Sequence, residues 1–352
     1  MAKDKYVAYV GTYTHENSLG IHVYDVDTQT GVFTEQSVAE INNPSYLTVS
    51  HDGQTLYSIA DEGVASFSID ENGDLHKTSQ QWIGGMRGDF VEVDSKNRYL
   101  FVGGYHDGRV TMMRLKADGT IGDIAYGVFH KGAGIGFGDP HFDHAKVTCV
   151  RLTPDEKFLC AVDFGLNQVK VYRVDYEMGH LSMADIIRPE LGGGAREIRF
   201  SKDGKYAYVL TGLNNSVEVY TYHVDDRDEP VFEKIQTVSV LNKTYEAAAS
   251  MNMTFNETED YLFVAVDALN AVTCLKKDAE TGMLSYDGMT FISGEYPKSI
   301  AILPGNEFLV VANHDTNDLR TFKIHYKEHY CLLKNPPVKI NQPNRIHIHK
   351  MR

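Results

Sequence analysis

Helical periodicity is nearly absent from this 352-residue chain, and no apolar run approaches the length needed to span a membrane. Cysteine is sparse as well. The four residues Cys149, Cys160, Cys274 and Cys331 are scattered and form no C-x-x-C pair, so they read as small apolar fillers of strands. Basic residues are outnumbered, 34 against 48 acidic ones, for a formal net charge of −14. That balance argues against non-specific binding to nucleic acid or to anionic membranes, both of which need a basic surface. It leaves an anionic small substrate open, because a local cationic pocket can sit inside an acidic protein. No Pro/Gly/Ser linker or shift in composition divides the chain, so residues 1–352 are expected to form one domain. Met1 to Lys5 lead straight into a strand-like segment with no apolar signal core, and a reduced, cytoplasmic protein is the expectation.

What the chain does contain is repetition. Apolar residues make up 42% of it and charged residues 23%, an ordinary globular balance that allows a core. Short alternating segments rich in Val, Tyr, Phe and Thr recur between Asp-Gly-like turns. One block returns along the chain: PSYLTVSHDGQTLYSIA at 44–60, GDFVEVDSKNRYLFVGG at 88–104, VTCVRLTPDEKFLCAVD at 147–163 and AREIRFSKDGKYAYVLT at 195–211. Two looser copies follow, SMNMTFNETEDYLFVAV at 250–266 and PKSIAILPGNEFLVVAN at 297–313. A further strand and an acidic turn follow each block, at a spacing typical of four-stranded propeller blades. The ends supply a seventh copy: Pro343 to Ile348 matches a first strand, Tyr6 to Tyr13 a second and Gly20 to Val26 a third. The predicted fold is therefore all-β, a seven-bladed β-propeller of four-stranded antiparallel blades. Its ring is closed by the N- and C-terminal strands in one blade, which removes exposed edges.

Superposing the blocks predicts which residues meet at the channel mouth. The first residue of each innermost strand gives Ser45, Asp89, Thr148, Arg196, Met251, Lys298 and Asn344. The far end of each second strand gives Asp61, Tyr105, Phe164, Gly212, Asp267, His314 and Tyr13. Arg196 and Lys298 are candidates to hold a carboxylate, a phosphate or an oxyanion. His314 and Asp267 are candidate catalytic bases or acids, with Tyr105 and His106 as donors, and Asp61, Asp89 and Thr148 as substrate-binding groups. The bland alternative is that such residues satisfy one another and hold channel water.

His141-Phe142-Asp143-His144 lies in a Gly-rich loop that begins at Gly132. The spacing specifies no third ligand, so a loop covering the channel is the reading adopted and no metal is expected. Gly132-Ala133-Gly134-Ile135-Gly136 is not placed between a strand and a helix, which excludes a dinucleotide loop.

GTYT at 11–14, GIHVYDVD at 20–27 and NPSYLTVSHDGQTLYS at 43–58 resemble the opening of the lactonase-type seven-bladed propellers, which include bacterial phosphogluconolactonase and fungal carboxymuconate lactonizing enzyme. GGYHDGRVTMMRLKADGTIG at 103–122, LTPDEKFLCAVDFGLNQVKVYRV at 152–174 and RFSKDGKYAYVLTGLNNSVEVY at 199–220 are similar too. The resemblance implies cyclic-ester chemistry without a cofactor, on a small anionic or sugar-derived substrate. Tyr105-His106 and the base of Pro297-Lys298 match the family pattern. The family's channel His is Thr148 here; its Pro-Arg-His becomes Ala195-Arg196-Glu197; its later Glu is Gly212; and its Asn-Arg-Gly becomes Val266-Asp267-Ala268. Three functions are consistent with this set: a lactonase with a rebuilt site, an isomerase or lyase acting on a sugar- or aromatic-derived acid, and a non-catalytic propeller binding a metabolite or protein.

Overall fold

A computed structural model of the chain describes residues 4–15, 17–134 and 143–352. Twenty-nine strands and no helix are found among these residues. They form seven antiparallel sheets. Blade 1 joins β1 (Tyr6–Thr12), β2 (Gly20–Asp27) and β3 (Val32–Glu40) to the C-terminal β29 (Pro343–Lys350). Blades 2 to 6 run β4–β7 (from Leu47–Val49 to Leu75–Gln81), β8–β11 (from Phe90–Val93 to Ile121–Phe129), β12–β15 (from Val147–Leu152 to His180–Ile187), β16–β19 (from Ala195–Phe200 to Pro230–Ser239) and β20–β23 (from Ala249–Phe255 to Leu284–Phe291). Blade 7 is β24–β27, from Pro297–Ile302 to Tyr330–Leu333, with the short β28 (Val338–Lys339) added alongside β26 (Asp318–His325). Each innermost strand packs on the next, from β29 through β4, β8, β12, β16, β20 and β24 back to β29, so the ring closes as the repeats predict.

Burial explains the sequence pattern. The second strand of each blade is covered on both faces and is apolar almost throughout, as in Thr55–Ala60, Phe158–Asp163 and Phe308–Asn313. The outermost strand, such as Leu75–Gln81, is largely exposed and polar. The cores lie between adjacent sheets rather than at the centre: one joins blades 1 and 2, another blades 5 and 6, another blades 6 and 7. A tyrosine on the second strand repeatedly reaches the outer hairpin of the following blade. Tyr9 Oη donates to the Gly73 carbonyl at 3.0 Å, Tyr57 to Gly119 at 3.0 Å and Tyr208 to Gly282 at 2.9 Å.

Blade 1 is held by six directly opposed pairs, from Tyr6 with Lys350 to Gly11 with Arg345. Beyond the ladder, Lys350 Nζ meets Asp4 Oδ2 at 2.7 Å and Met351 N–H donates to the Lys5 carbonyl at 2.9 Å.

Candidate functional site

A backbone irregularity builds the axial site. In five blades the register between the innermost strand and its neighbour slips by one residue at the channel mouth, and the extra residue is Thr148, Arg196, Met251, Lys298 or Asn344. Such bulges re-aim a side chain and break strict alternation. The matching residues of blades 2 and 3 lie just before their strands' first paired positions, Ser45 two residues ahead of Leu47 and Asp89 one ahead of Phe90; Asp89 N–H donates to the Gly103 carbonyl at 2.7 Å. All seven line one pocket of about 90 Å³ on the axis. After four of the five bulges the next residue lines it too, Glu197, Asn252, Ser299 or Arg345, and Tyr46 and Phe90 do so in blades 2 and 3, whose ladders carry no bulge; Cys149, after Thr148, does not. Tyr13 completes the wall. Period-2 alternation assigns this second layer to the opposite face, and the one sequence signal for it is that its residues directly follow the ring positions.

The pocket mixes one free carboxylate with several cations. Asp89 makes no side-chain hydrogen bond or ion pair among the described residues. Burial raises its pKa, against the opposing pull of Lys298, Arg196, Arg87 and His106. Burial lowers the Lys298 pKa, while Tyr296 and Asp89 act to raise it. The Lys298 ammonium stands 4.8 Å from the Tyr13 ring centre and 5.4 Å from that of Tyr296. Arg196 lies 5.5 Å from the Phe164 ring and its Nε donates to the Met251 carbonyl at 3.2 Å, while Thr148 Oγ1 donates to the Arg196 carbonyl at 2.7 Å. Glu197 is already committed: its Oε1 pairs with Arg199 at 2.9 Å and its Oε2 accepts from Asn252 Nδ2 and from Met253 N–H. Three buried polar atoms of the lining, Asn344 Oδ1, Arg345 Nε and the ion-paired Glu197 Oε1, have no hydrogen-bond partner among the described residues. An orphaned buried polar atom costs about 1–3 kcal/mol unless a water or a ligand meets it.

Of the residues singled out in the sequence, Asp89, Thr148, Arg196 and Lys298 stand in this pocket. Asp61, Tyr105, His106, Asp267 and His314 are not among its lining residues. They sit on second strands or the loops that follow, about one strand spacing of 4.8 Å further from the axis. Asp61 Oδ2 accepts from Asn43 Nδ2 at 2.7 Å and its Oδ1 lies 3.5 Å from Arg87 Nε. Tyr105 and His106 meet edge to face at 5.5 Å, and the Lys146 ammonium is 5.5 Å from the Tyr105 ring. Burial raises the Tyr105 pKa, with Arg196 opposing it. His314 packs edge-on against Tyr13 and Tyr296 at 5.7 and 5.2 Å; its Nδ1 bonds Asp315 at 2.7 Å and its buried Nε2 has no hydrogen-bond partner among the described residues. Burial lowers its pKa, with Asp315 and Asp267 acting the other way. Asp267 Oδ1 accepts the N–H of Ala268 at 2.6 Å within its own loop.

His141, Phe142 and the Gly-rich residues 135–140 lie outside the described residues. Asp143 contacts His144 Nδ1, and Lys146 Nζ lies 3.1 Å from the His144 ring nitrogens. Among the described residues no group of three His, Cys, Asp or Glu side chains is arranged to hold a metal ion. No helix there is long and apolar enough to cross a membrane.

A closed ring of seven four-stranded blades with a polar pocket on its axis places the chain in the class of seven-bladed β-propellers. The family model described as Lactonase, 7-bladed beta-propeller matches residues 7–348, and the chain belongs to that family. It is 29% identical over 329 residues to the 6-phosphogluconolactonase of Bacillus subtilis (strain 168), covering 91% of each chain. Its identity to the 6-phosphogluconolactonase of Formosa agariphila is 26% over 331 residues, 90% of this chain and 91% of the relative. The solved periplasmic gluconolactonase of Pseudomonas aeruginosa superposes with a TM-score of 0.92 at 25% identity, over 99% of this chain and all of the other.

Proposed function

We propose that the protein hydrolyses a cyclic ester of a sugar-derived acid in the axial pocket, with Asp89 as the general base. Asp89 takes a proton from water as its oxygen adds to the ring carbonyl. The negative charge that develops on the carbonyl oxygen is held by Lys298 and Arg196. Collapse of that adduct breaks the bond to the ring oxygen, which receives the proton carried by Asp89 and leaves as a hydroxyl. Thr148 and Asn344 orient the substrate, and Tyr13, Tyr46 and Phe90 supply walls for its ring. In this reading His314, Asp267, Tyr105, His106 and Asp61 act from the wider ring on the substrate's outlying groups rather than on the reacting carbon. Family membership and the relatives named lactonases support the reaction class. The observation that carries the assignment is the uncommitted Asp89 carboxylate sharing one pocket with Lys298 and Arg196.

The test is hydrolysis of glucono-δ-lactone followed by proton release, in heavy-oxygen water. Turnover with solvent oxygen in the product is expected, and Asp89→Asn is expected to lower kcat by about 10²–10⁴. Rates no faster than the spontaneous reaction for this and related aldonolactones, or an unchanged Asp89→Asn enzyme, would sink the proposal.

A further inference from the structure

The channel has a second mouth, and its floor is built of arginine. From the axial pocket, which Glu197 and Arg345 line, toward the far end of the channel, the innermost strands bring Arg151, Arg199 and Arg345 together with the carboxylates Glu92 and Glu197. Arg151 spends Nε on the Ile198 carbonyl at 2.9 Å and reaches Glu92 Oε2 only at 3.4 Å. Arg199 meets a single polar group among the described residues, Glu197 at 2.9 Å, and its buried Nε has no partner. A guanidinium carries five donors, so most of this one is unused. Both arginines open into a cavity of about 410 Å³ at the far end of the channel, separate from the axial pocket. The rim carboxylates are engaged elsewhere: Glu257 Oε2 accepts from Gly305 N–H at 3.0 Å, and Glu259 accepts from Lys202 N–H and meets Lys277 at 3.3 Å. An under-used, crowded pair of guanidiniums facing an open cavity is suited to a planar or tetrahedral oxyanion, which such forks bind bidentately.

We propose that the far mouth is a second binding site, in which Arg151 and Arg199 take a compact oxyanion, either free phosphate or the phosphoryl group of a metabolite. The site does not depend on the chemistry assigned to the axial pocket. It is tested in protein carrying Arg196→Gln and Lys298→Met, which removes the two axial cations assigned to the oxyanion and leaves Arg345 in place, by calorimetric titration with inorganic phosphate and with glucose 6-phosphate. One ligand per chain is expected, binding more weakly as salt is raised. Adding Arg199→Gln is expected to weaken it roughly tenfold to a hundredfold, the loss of a charge-assisted hydrogen bond. Because Arg199→Gln leaves Glu197 unpaired, a parallel protein pairs it with Glu197→Gln to keep the fold. Tighter binding of glucose 6-phosphate assigns the ligand as a phosphorylated metabolite, and tighter binding of inorganic phosphate assigns the free ion. Absence of binding by both probes, or binding that Arg199→Gln leaves intact, overturns the site.

Discussion

Asp89 and His347 are half-buried titratable groups whose surroundings pull them in different functional directions. Burial lifts the Asp89 pKa above the ordinary carboxylate value, so the base form needed for water attack accumulates at a higher pH than for a free aspartate. kcat/KM is therefore expected to rise along an acidic limb centred above about 3.9, and the limb should vanish in whatever activity Asp89→Asn retains; a pH–rate profile reads both. On β29, His347 is held neutral, its pKa pulled down to about 3 by burial first, then by Arg345 and His349. Below about 6.5 the unfolded chain binds a proton at this position that the folded chain refuses. The stability is thus fully present above that value and is lost as pH falls from about 6.5 toward 3, at up to about 1.4 kcal/mol per pH unit. Urea midpoints measured across this range should fall less steeply in His347→Gln than in the parent protein.

At the scale of the hairpin, the turn between the first and second strands of a blade ends on a residue with positive φ. In blades 2 and 5 that residue is glycine, Gly53 and Gly204; elsewhere it is Asn97, Glu156, Glu259 or Asn306. The loosening of the Asp-Gly signal along the sequence has a structural use. Asn97 Oδ1 accepts from His51 N–H, Glu156 Oε1 from Ser95 N–H at 2.6 Å, Glu259 from Lys202 N–H, and Asn306 Oδ1 from Glu257 N–H at 2.7 Å. Each side chain ties its turn to the turn of the preceding blade, and the backbone strain of about 1 kcal/mol is offset by that bond. Glu156→Ala should be less stable than Glu156→Gly by about 0.5–1 kcal/mol, because alanine keeps the strain while both lose the bond to Ser95. Equal denaturation midpoints for the two variants would contradict this account.

For the whole molecule, stability rests on closing the ring. Deleting residues 343–352 removes β29, exposes the buried edge of β1 and leaves the cores on either side of blade 1 uncovered. The truncated chain is expected to be aggregated or unfolded in size-exclusion chromatography, whereas a monomeric, cooperatively unfolding product would show that closure is dispensable. The ring was legible in the sequence because each blade repeats one burial pattern, and a repeat of a pattern needs no long-range information. The same repeats indicated that Asp89, Thr148, Arg196 and Lys298 occupy equivalent positions. They could not indicate that Glu197, Asn252 and Arg345 join them, because alternation assumes an unbroken ladder and the bulges break it. Nor could they separate the two rings. Asp267 and His314 share a repeat position with Tyr13, yet Tyr13 alone reaches the pocket wall. The sequence by itself determined the strands, their order and the closure, since these follow from local periodicity. Tertiary structure alone decided which charged groups meet, at what distance and with which partners already taken, because those depend on how seven separate sheets converge on one axis.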